Sequence, residues 1–171
     1  DLAKEYGCMD NILDVGTGSG NLAITLAIEN LAKNVVATDI SKHTIKVAEY
    51  NKQKLCSKKN INFIIDDFLN STINQQFDII ISNPPYIPKN EIDKLDDIVK
   101  KHEPINALTD GNDGYNFYKK FSVLGKKLLK KNGVMLLEIG INNKINELKK
   151  IFCNYTIEIF KDLNDIPRVI K

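Results

Sequence analysis

The sequence predicts a doubly wound α/β fold, with a sheet of seven strands that are mostly parallel. Short apolar segments alternate with segments of helical periodicity along the chain, and this alternation implies right-handed crossovers between parallel strands. Ile79, Ile80 and Ile81 form a continuous branched run, which is typical of a central parallel strand covered on both faces. The length of 171 residues suits one domain with its own core, over residues 1–171.

Strands are predicted where short apolar runs lie between polar or glycine-rich segments. These are 11–15, 34–39, 61–65, 77–82 and 134–139, followed by an edge strand at 155–160 and a last strand at 168–170. The stretch 83–109 holds four of the five prolines, so we expect it to be irregular.

Four helices are predicted between these strands. The first, at 22–31, is apolar on almost every side and should be buried. The second should begin after Ser41 as its N-cap and continue to about residue 58, with Ile45, Ala48 and Leu55 facing inward. The third should end at Asn132-Gly133, and the fourth covers 145–152. The inward face of the third consists of Phe117, Phe121, Leu124 and Leu128.

Composition excludes several classes of protein. Hydrophobic residues make up 43% and charged residues 27% of the chain, and the net charge is +2, so disorder is not expected. The apolar run 134–141 is interrupted by Glu138 and is far shorter than the ~18 residues of a membrane span. We expect no signal peptide. Three scattered cysteines and two histidines predict neither disulfides nor a metal site, and they indicate a reducing, cytoplasmic location.

A glycine-rich loop follows the first predicted strand and contains Gly16, Gly18 and Gly20, with Thr17 and Ser19 between them. Alternating glycines let the backbone turn tightly and approach a ligand at a helix N-terminus. No Gly-Lys-Ser/Thr follows, and the third glycine comes one place too early for a dinucleotide fingerprint. Asp14, beside the loop, would repel a pyrophosphate but suits a ligand with an amino cation and a sulfonium. S-adenosylmethionine is such a ligand.

Acidic residues also follow the second and third predicted strands. Asp39 lies 19 residues past Gly20, where a carboxylate accepts from ribose hydroxyls. Asp67 can accept from an adenine amine while Phe68 packs on the ring, and Asp66 competes with Asp67 for that contact. A helix-capping acid beside a core phenylalanine is the alternative interpretation.

Asn83-Pro84-Pro85-Tyr86 follows the most apolar strand. A planar NH2 group is a poor nucleophile because its lone pair is delocalised. Two acceptors on its N–H bonds, Asn83 Oδ1 and the Pro84 carbonyl, can turn the lone pair toward an electrophile while Tyr86 stacks on the group. The two prolines make the loop stiff, so little entropy is lost on positioning. These residues therefore predict methylation of a planar amino group.

Together these motifs resemble the class I S-adenosylmethionine-dependent methyltransferases. The segments Asn83–Pro88, Glu103–Leu108, Asp110–Gly114, Leu136–Gly140 and Asp162–Val169 resemble, in that order, the HemK-type glutamine N5-methyltransferases of peptide-chain release factors. The resemblance implies a Rossmann-like catalytic domain over residues 1–171. It also implies that the helical N-terminal substrate-binding domain of the family lies outside this chain.

Carried over to this sequence, the resemblance implies cofactor contacts at Gly16, Thr17, Gly18, Ser19, Gly20, Asp39 and Phe68. The amide substrate should meet Asn83, Pro84, Pro85 and Tyr86, with Asn83, Pro84 and Tyr86 catalytic and Asn83 also beside the cofactor. The implied substrate is a release factor, and we expect a monomer that needs neither membrane nor nucleic acid. A ribosomal-protein glutamine fits the same site. A nucleic-acid amino-methyltransferase, acting on adenine N6 or guanine N2, is the other alternative.

Overall fold

The computed structural model describes residues 2–141 and 143–171, without the side chain of Lys101. Within these residues the chain forms a mixed sheet with the strand order β3-β2-β1-β4-β5-β7-β6. The strands are β1 (Met9–Val15), β2 (Ala32–Asp39), β3 (Ile61–Ile65), β4 (Phe77–Ser82), β5 (Leu129–Glu138), β6 (Ile159–Lys161) and β7 (Pro167–Ile170). The predicted seven-stranded, mostly parallel sheet is confirmed.

The helices are α1 (Asn21–Ile28), α2 (Lys42–Cys56), α3 (Asp97–His102), α4 (Ile105–Leu108), α5 (Asn116–Leu128) and α6 (Ile145–Ile151). Three 3-10 helices cover Leu2–Tyr6, Phe68–Asn70 and Lys89–Lys94. None of the helices in the described residues has the length and apolarity that crossing a membrane requires.

Contacts divide the chain into two units. The first unit is the chain up to Asn83 together with Lys127–Leu136, and the second unit is Pro84–Lys126 together with Leu137–Lys171. The prediction of a single catalytic domain over residues 1–171 stays a prediction.

In the first unit, β1 lies between β2 and β4, and both pairings are parallel. Ile12 pairs with Val35 on one side and Ile79 on the other, and all three side chains are buried. Helix α1 adds Ala23, Ile24, Leu26 and Ala27 to this core, which agrees with its nearly all-apolar sequence. Because β1 has strands on both sides and apolar layers on both faces, its carboxyl end is held in place.

Helix α2 begins as predicted, because the Ser41 hydroxyl accepts from the Thr44 N–H at 3.2 Å. The prediction that Leu55 faces inward is wrong, since this side chain is 65% exposed. At 100° per residue, Cys56 returns to the face of Ile45 after three turns, whereas Leu55 lies about 80° away. The last turn therefore packs Cys56, not Leu55, on the core.

The junction of α5 and β5 also differs from the prediction. The helix ends at Leu128, and Asn132-Gly133 lie inside β5. Asn132 has a φ of 65°, and a Cβ on Gly133 would come 3.1 Å from the carbonyl oxygens of both Phe77 and Asp78. The glycine is therefore required by the close approach of the β4 backbone, and Lys130 fixes the junction through an ion pair with Asp78 at 2.8 Å.

The second unit contains antiparallel pairs, in which Leu137 pairs with Ile170 and Phe160 with Val169. Helix α5 begins in this unit and ends in the first. Its predicted face is confirmed at Phe121 and Leu128, and Tyr118, three residues before Phe121, is also buried. The edge strand predicted at 155–160 is reduced to Ile159–Lys161.

The stretch 83–109 is not wholly irregular, because it contains α3, α4 and a 3-10 helix. Such short elements leave no periodic sequence pattern.

Candidate active site

The first unit brings the ends of four strands to one edge of the sheet. Val15 is in register with Thr38 and with Ser82, and Asp39 is in register with Ile65. The Ser82 hydroxyl donates to the Val15 carbonyl at 2.7 Å. In a parallel sheet, the residues that follow these positions form the ligand-binding edge. The glycine loop, Asp39, Asp66 to Phe68 and Asn83 therefore meet at this edge, as the sequence predicts.

The glycine loop needs glycine for two different reasons. Gly16, Gly18 and Gly20 have φ values of 70°, 57° and 85°, in the left-handed region where a side chain is strained. A Cβ on Gly16 or Gly18 would meet open space, whereas one on Gly20 would lie 3.1 Å from Ala48 Cβ. Gly16 and Gly18 thus leave room along the loop, and Gly20 lets α1 approach α2.

Asp14 is completely buried beneath this loop. Its Oδ2 accepts from the Thr17 hydroxyl at 2.7 Å and from the Ala23 N–H at 3.1 Å, within the first turn of α1. Its Oδ1 is buried without a partner in the described residues. Burial raises the pKa of the Asp14 carboxyl to about 6, although the Thr17 and Ala23 hydrogen bonds act in the opposite direction.

Asp39 connects the glycine loop with the start of α2. Its Oδ2 accepts from the Gly18 N–H at 3.0 Å, and its Oδ1 accepts from the Ser41 N–H at 2.9 Å. Each carboxylate oxygen offers a further lone pair, so acceptor capacity remains for ribose hydroxyls.

The two acids after β3 have different surroundings. Asp67 Oδ1 accepts from the Leu69 N–H at 3.1 Å and Oδ2 from Asn70 Nδ2 at 2.7 Å, so Asp67 caps the 3-10 helix. Asp66 Oδ2 is buried without a partner in the described residues. Phe68 is buried as well. Capping, which was the alternative interpretation of this segment, is present at Asp67, and the free acceptor lies on Asp66.

Asn83 is the last residue of the first unit before the chain enters the second unit. It is exposed, and it follows Ser82 at the same edge as the glycine loop. Its amide is therefore accessible to a ligand at this edge.

The rest of the loop belongs to the second unit, where Pro84 is buried and Pro85 and Tyr86 are half-buried. The Tyr86 hydroxyl donates to Glu138 Oε1 at 3.3 Å. Burial and the neighbouring Glu138 carboxylate raise the pKa of Tyr86. Two backbone bonds continue the anchoring, from Ile87 N–H to the Leu108 carbonyl and from Lys89 N–H to the Asn112 carbonyl, each at 2.9 Å.

Sequence reasoning assigned no role to several residues around Tyr86. Glu138 accepts from its hydroxyl, whereas Glu103 is exposed. Gly140 and Gly114 lie against the Tyr86 ring and backbone. The signal was present, because both glycines belong to segments that carry the family resemblance. Glycine alone, however, does not indicate what approaches it.

A family model described as a methyltransferase domain matches residues 9–166. The chain belongs to this methyltransferase family. This methyltransferase domain is 42% identical over 164 residues to the release factor glutamine methyltransferase of Bacillus subtilis (strain 168), covering 93% of this chain and 56% of that protein. It is 41% identical over 166 residues to the protein of the same name from Clostridium acetobutylicum, covering 93% of this chain and 57% of that protein. The predicted family resemblance is confirmed, and the chain spans about half the length of these relatives.

Solved structures agree on the fold. A methyltransferase from Pyrococcus furiosus superimposes with a TM-score of 0.71 at 16% identity, covering 99% of this chain and 78% of that one. The class I methyltransferase fold predicted for this domain is confirmed.

Proposed function

We propose that this methyltransferase domain transfers the methyl group of S-adenosylmethionine to N5, the side-chain amide nitrogen, of the glutamine in the Gly-Gly-Gln loop of peptide-chain release factors. The observation that carries this proposal is the exposed Asn83 directly after β4, at the edge where the glycine loop follows β1. The names of the relatives from Bacillus subtilis and Clostridium acetobutylicum support the choice of substrate.

The first unit fits the cofactor in its donor and acceptor set. The unpartnered Asp14 Oδ1 suits an ammonium group, and Gly16 and Gly18 leave open space along the backbone. Asp39 accepts from ribose hydroxyls, and Asp66 or Asp67 accepts from the adenine amine beside Phe68. When bound, S-adenosylmethionine supplies an electrophilic methyl group and leaves as S-adenosylhomocysteine.

The substrate amide is held by the loop that begins at Asn83. Asn83 Oδ1 and the Pro84 carbonyl accept from its two N–H groups, and Tyr86 stacks on its plane. These two hydrogen bonds and the stacking contact turn the nitrogen lone pair away from the amide π system. After methyl transfer, the nitrogen loses one N–H proton to solvent, because an N-alkylated amide cation is strongly acidic. Stiff prolines keep the acceptors in place before the substrate arrives.

Presentation of the glutamine provides the specificity. A Gly-Gly-Gln turn has no side chain beside the glutamine, so its backbone can approach the loop closely and the glutamine can extend fully. The partner is therefore a protein, in the cytoplasm where release factors act. We propose a monomer that requires neither nucleic acid nor membrane.

Side-by-side methyl transfer tests the proposal. The protein is incubated with labelled S-adenosylmethionine and, separately, with a release factor, ribosomal protein, rRNA and DNA, and the modified site is mapped by mass spectrometry. We expect label on the Gly-Gly-Gln glutamine alone, and none on a release factor in which alanine replaces that glutamine. Label on ribosomal protein or nucleic acid, with the glutamine untouched, would refute the substrate assignment.

A further inference from the structure

The Tyr86 ring lies against a glycine that no side chain could replace without moving it. A Cβ on Gly140 would lie 2.6 Å from Tyr86 Cδ2 and 2.9 Å from Cε2. Ordinary van der Waals contact begins at 3.4 Å, so the ring would have to move by about 0.8 Å. The residue at 140 therefore determines where the Tyr86 ring lies.

A second glycine lies on the backbone side of the same residue. A Cβ on Gly114 would clash with the Tyr86 carbonyl oxygen and lie 3.1 Å from its carbonyl carbon. Asp110 holds this glycine in place, since its Oδ1 accepts from the Gly114 N–H at 3.1 Å and its Oδ2 accepts from the Asn116 N–H at 2.8 Å. The Asp110–Gly114 segment thus supports the Tyr86 backbone.

Hydrogen bonds connect these contacts to the core of the second unit. The Tyr86 hydroxyl donates to Glu138 Oε1, and the Glu138 carbonyl accepts from the Tyr118 hydroxyl at 2.8 Å. The Gly140 N–H donates to Asn143 Oδ1 at 2.7 Å. Because Tyr118 is fully buried, Glu138 and Gly140 are held in place independently of any substrate.

We propose that Gly140, Gly114 and Glu138 are positioning residues that hold Tyr86 where it stacks on the substrate amide. We call these three residues the Tyr86 seat. The inference deepens the proposed function and rests on it, because the seat acts on the reaction only through Tyr86.

A double-variant cycle in the methyl-transfer assay tests the seat. Gly140→Ala should lower kcat about 100-fold, since a displacement near 1 Å can cost that much, and should leave the Kd for S-adenosylhomocysteine unchanged. In a Tyr86→Ala background, the same substitution should lower kcat no further. Gly7→Ala is the control for an added methyl group away from Tyr86, because a Cβ on Gly7 would meet open space, while its φ of 68° adds backbone strain that Gly140 does not have. We expect it to retain the wild-type kcat.

Glu138 is tested by its conservative variant. Glu138→Gln keeps an oxygen that accepts from Tyr86 and should retain kcat, whereas Glu138→Ala should lower it about tenfold. A purely structural role would make both substitutions lower the urea midpoint and leave kcat unchanged in the molecules that remain folded.

Urea unfolding without substrate tests the packing of the Tyr86 seat independently of the proposed methyl-transfer activity. Gly140→Ala should lower the midpoint more in the wild-type background, where Tyr86 is present, than in the Tyr86→Ala background. Equal shifts of the urea midpoint in the two backgrounds, or an unchanged kcat in Gly140→Ala, would overturn the proposed positioning role. If the wild-type protein methylates no release factor, the proposed function fails, and the unfolding cycle still decides whether Gly140 determines the place of the Tyr86 ring.

Discussion

Asp14 should make both stability and cofactor binding depend on pH. Its carboxyl has an ordinary pKa of 3.8, which burial raises to about 6 in the folded protein. This difference in pKa corresponds to about 3 kcal/mol by which folding disfavours the ionised form. The cause is burial. Thr17 and Ala23 donate to Oδ2 and offset part of the rise in pKa, but Oδ1 is buried without a donor in the described residues.

The sign of the effect on stability follows from the raised pKa. Asp14 binds a proton more tightly in the folded than in the unfolded protein, so its contribution is fully present below pH 3.8 and is lost as the pH rises through about 6. Between pH 7 and pH 5, protonation of Asp14 should stabilise the ligand-free protein by about 1 kcal/mol. Asp14→Asn, which does not titrate, should lack this component in urea unfolding.

Binding should show the opposite dependence. S-adenosylhomocysteine carries the same ammonium group as the cofactor, and an ammonium at Oδ1 requires an ionised carboxylate. At pH 5 about one-tenth of Asp14 is ionised, so the affinity should be about tenfold weaker than at pH 7.5. The ligand should also displace a proton near pH 6.

Isothermal titration calorimetry at pH 5.0, 6.0 and 7.5 measures this coupling, and two buffers of different ionisation enthalpy count the protons. Asp14→Asn should bind more weakly than the wild type at pH 7.5 and with a flat pH profile. The reasoning is refuted if the wild-type Kd is the same at pH 5.0 and 7.5, or if Asp14→Asn shows the same slope as the wild type.

Six further substitutions, at five positions, test the site and the fold. Asp39→Ala should weaken cofactor binding by about 1.5–3 kcal/mol, measured by calorimetry, because it removes acceptors for ribose and for the loop. Asn83→Ala should reduce turnover about 100-fold with little change in cofactor Kd, and Asn83→Asp should also be slow because its charge favours the ground-state sulfonium. Tyr118→Phe should cost about 1 kcal/mol in urea unfolding, since the buried Tyr118 side chain loses its hydrogen bond to the Glu138 carbonyl. In calorimetry, Asp66→Asn should weaken binding more than Asp67→Asn if the free acceptor contacts adenine.

Much of the first unit could be predicted from the sequence because its signals are local. β3 and β4 have their predicted bounds, and the N-cap at Ser41 is present. Buried parallel strands are continuous apolar runs, and caps involve residues three apart, so short windows contain the information. The helix end predicted at Asn132-Gly133 was wrong because the signal there is not local. Its glycine is required by the β4 backbone more than 50 residues earlier, whereas the local pattern is that of a helix end.

The same distinction between local and distant signals applies to the candidate site. The glycine loop and Asp39 follow strands whose ends the sequence locates well, so their place at the sheet edge could be predicted. The contacts of Tyr86 could not, because Gly114, Glu138 and Gly140 reach it from segments about 30 to 50 residues later. No spacing rule connects such distant positions.

Asp66 and Asp67 show how structure can separate two residues that are equivalent in sequence. The Asp66 N–H donates to the Asp39 carbonyl at 3.0 Å, so Asp66 still lies in register beside the acid proposed for ribose. Asp67 has left the strand, and both its oxygens accept from the 3-10 helix that it caps. A capping carboxylate is already satisfied, whereas a buried oxygen without a partner carries a desolvation cost that a ligand donor can remove. Adenine and ribose belong to one nucleoside, and Asp66 Oδ2 is the buried acceptor that follows Asp39 along the sheet edge. On these grounds, Asp66 is the stronger candidate for the adenine contact, and Asp67 shapes the turn that carries Phe68.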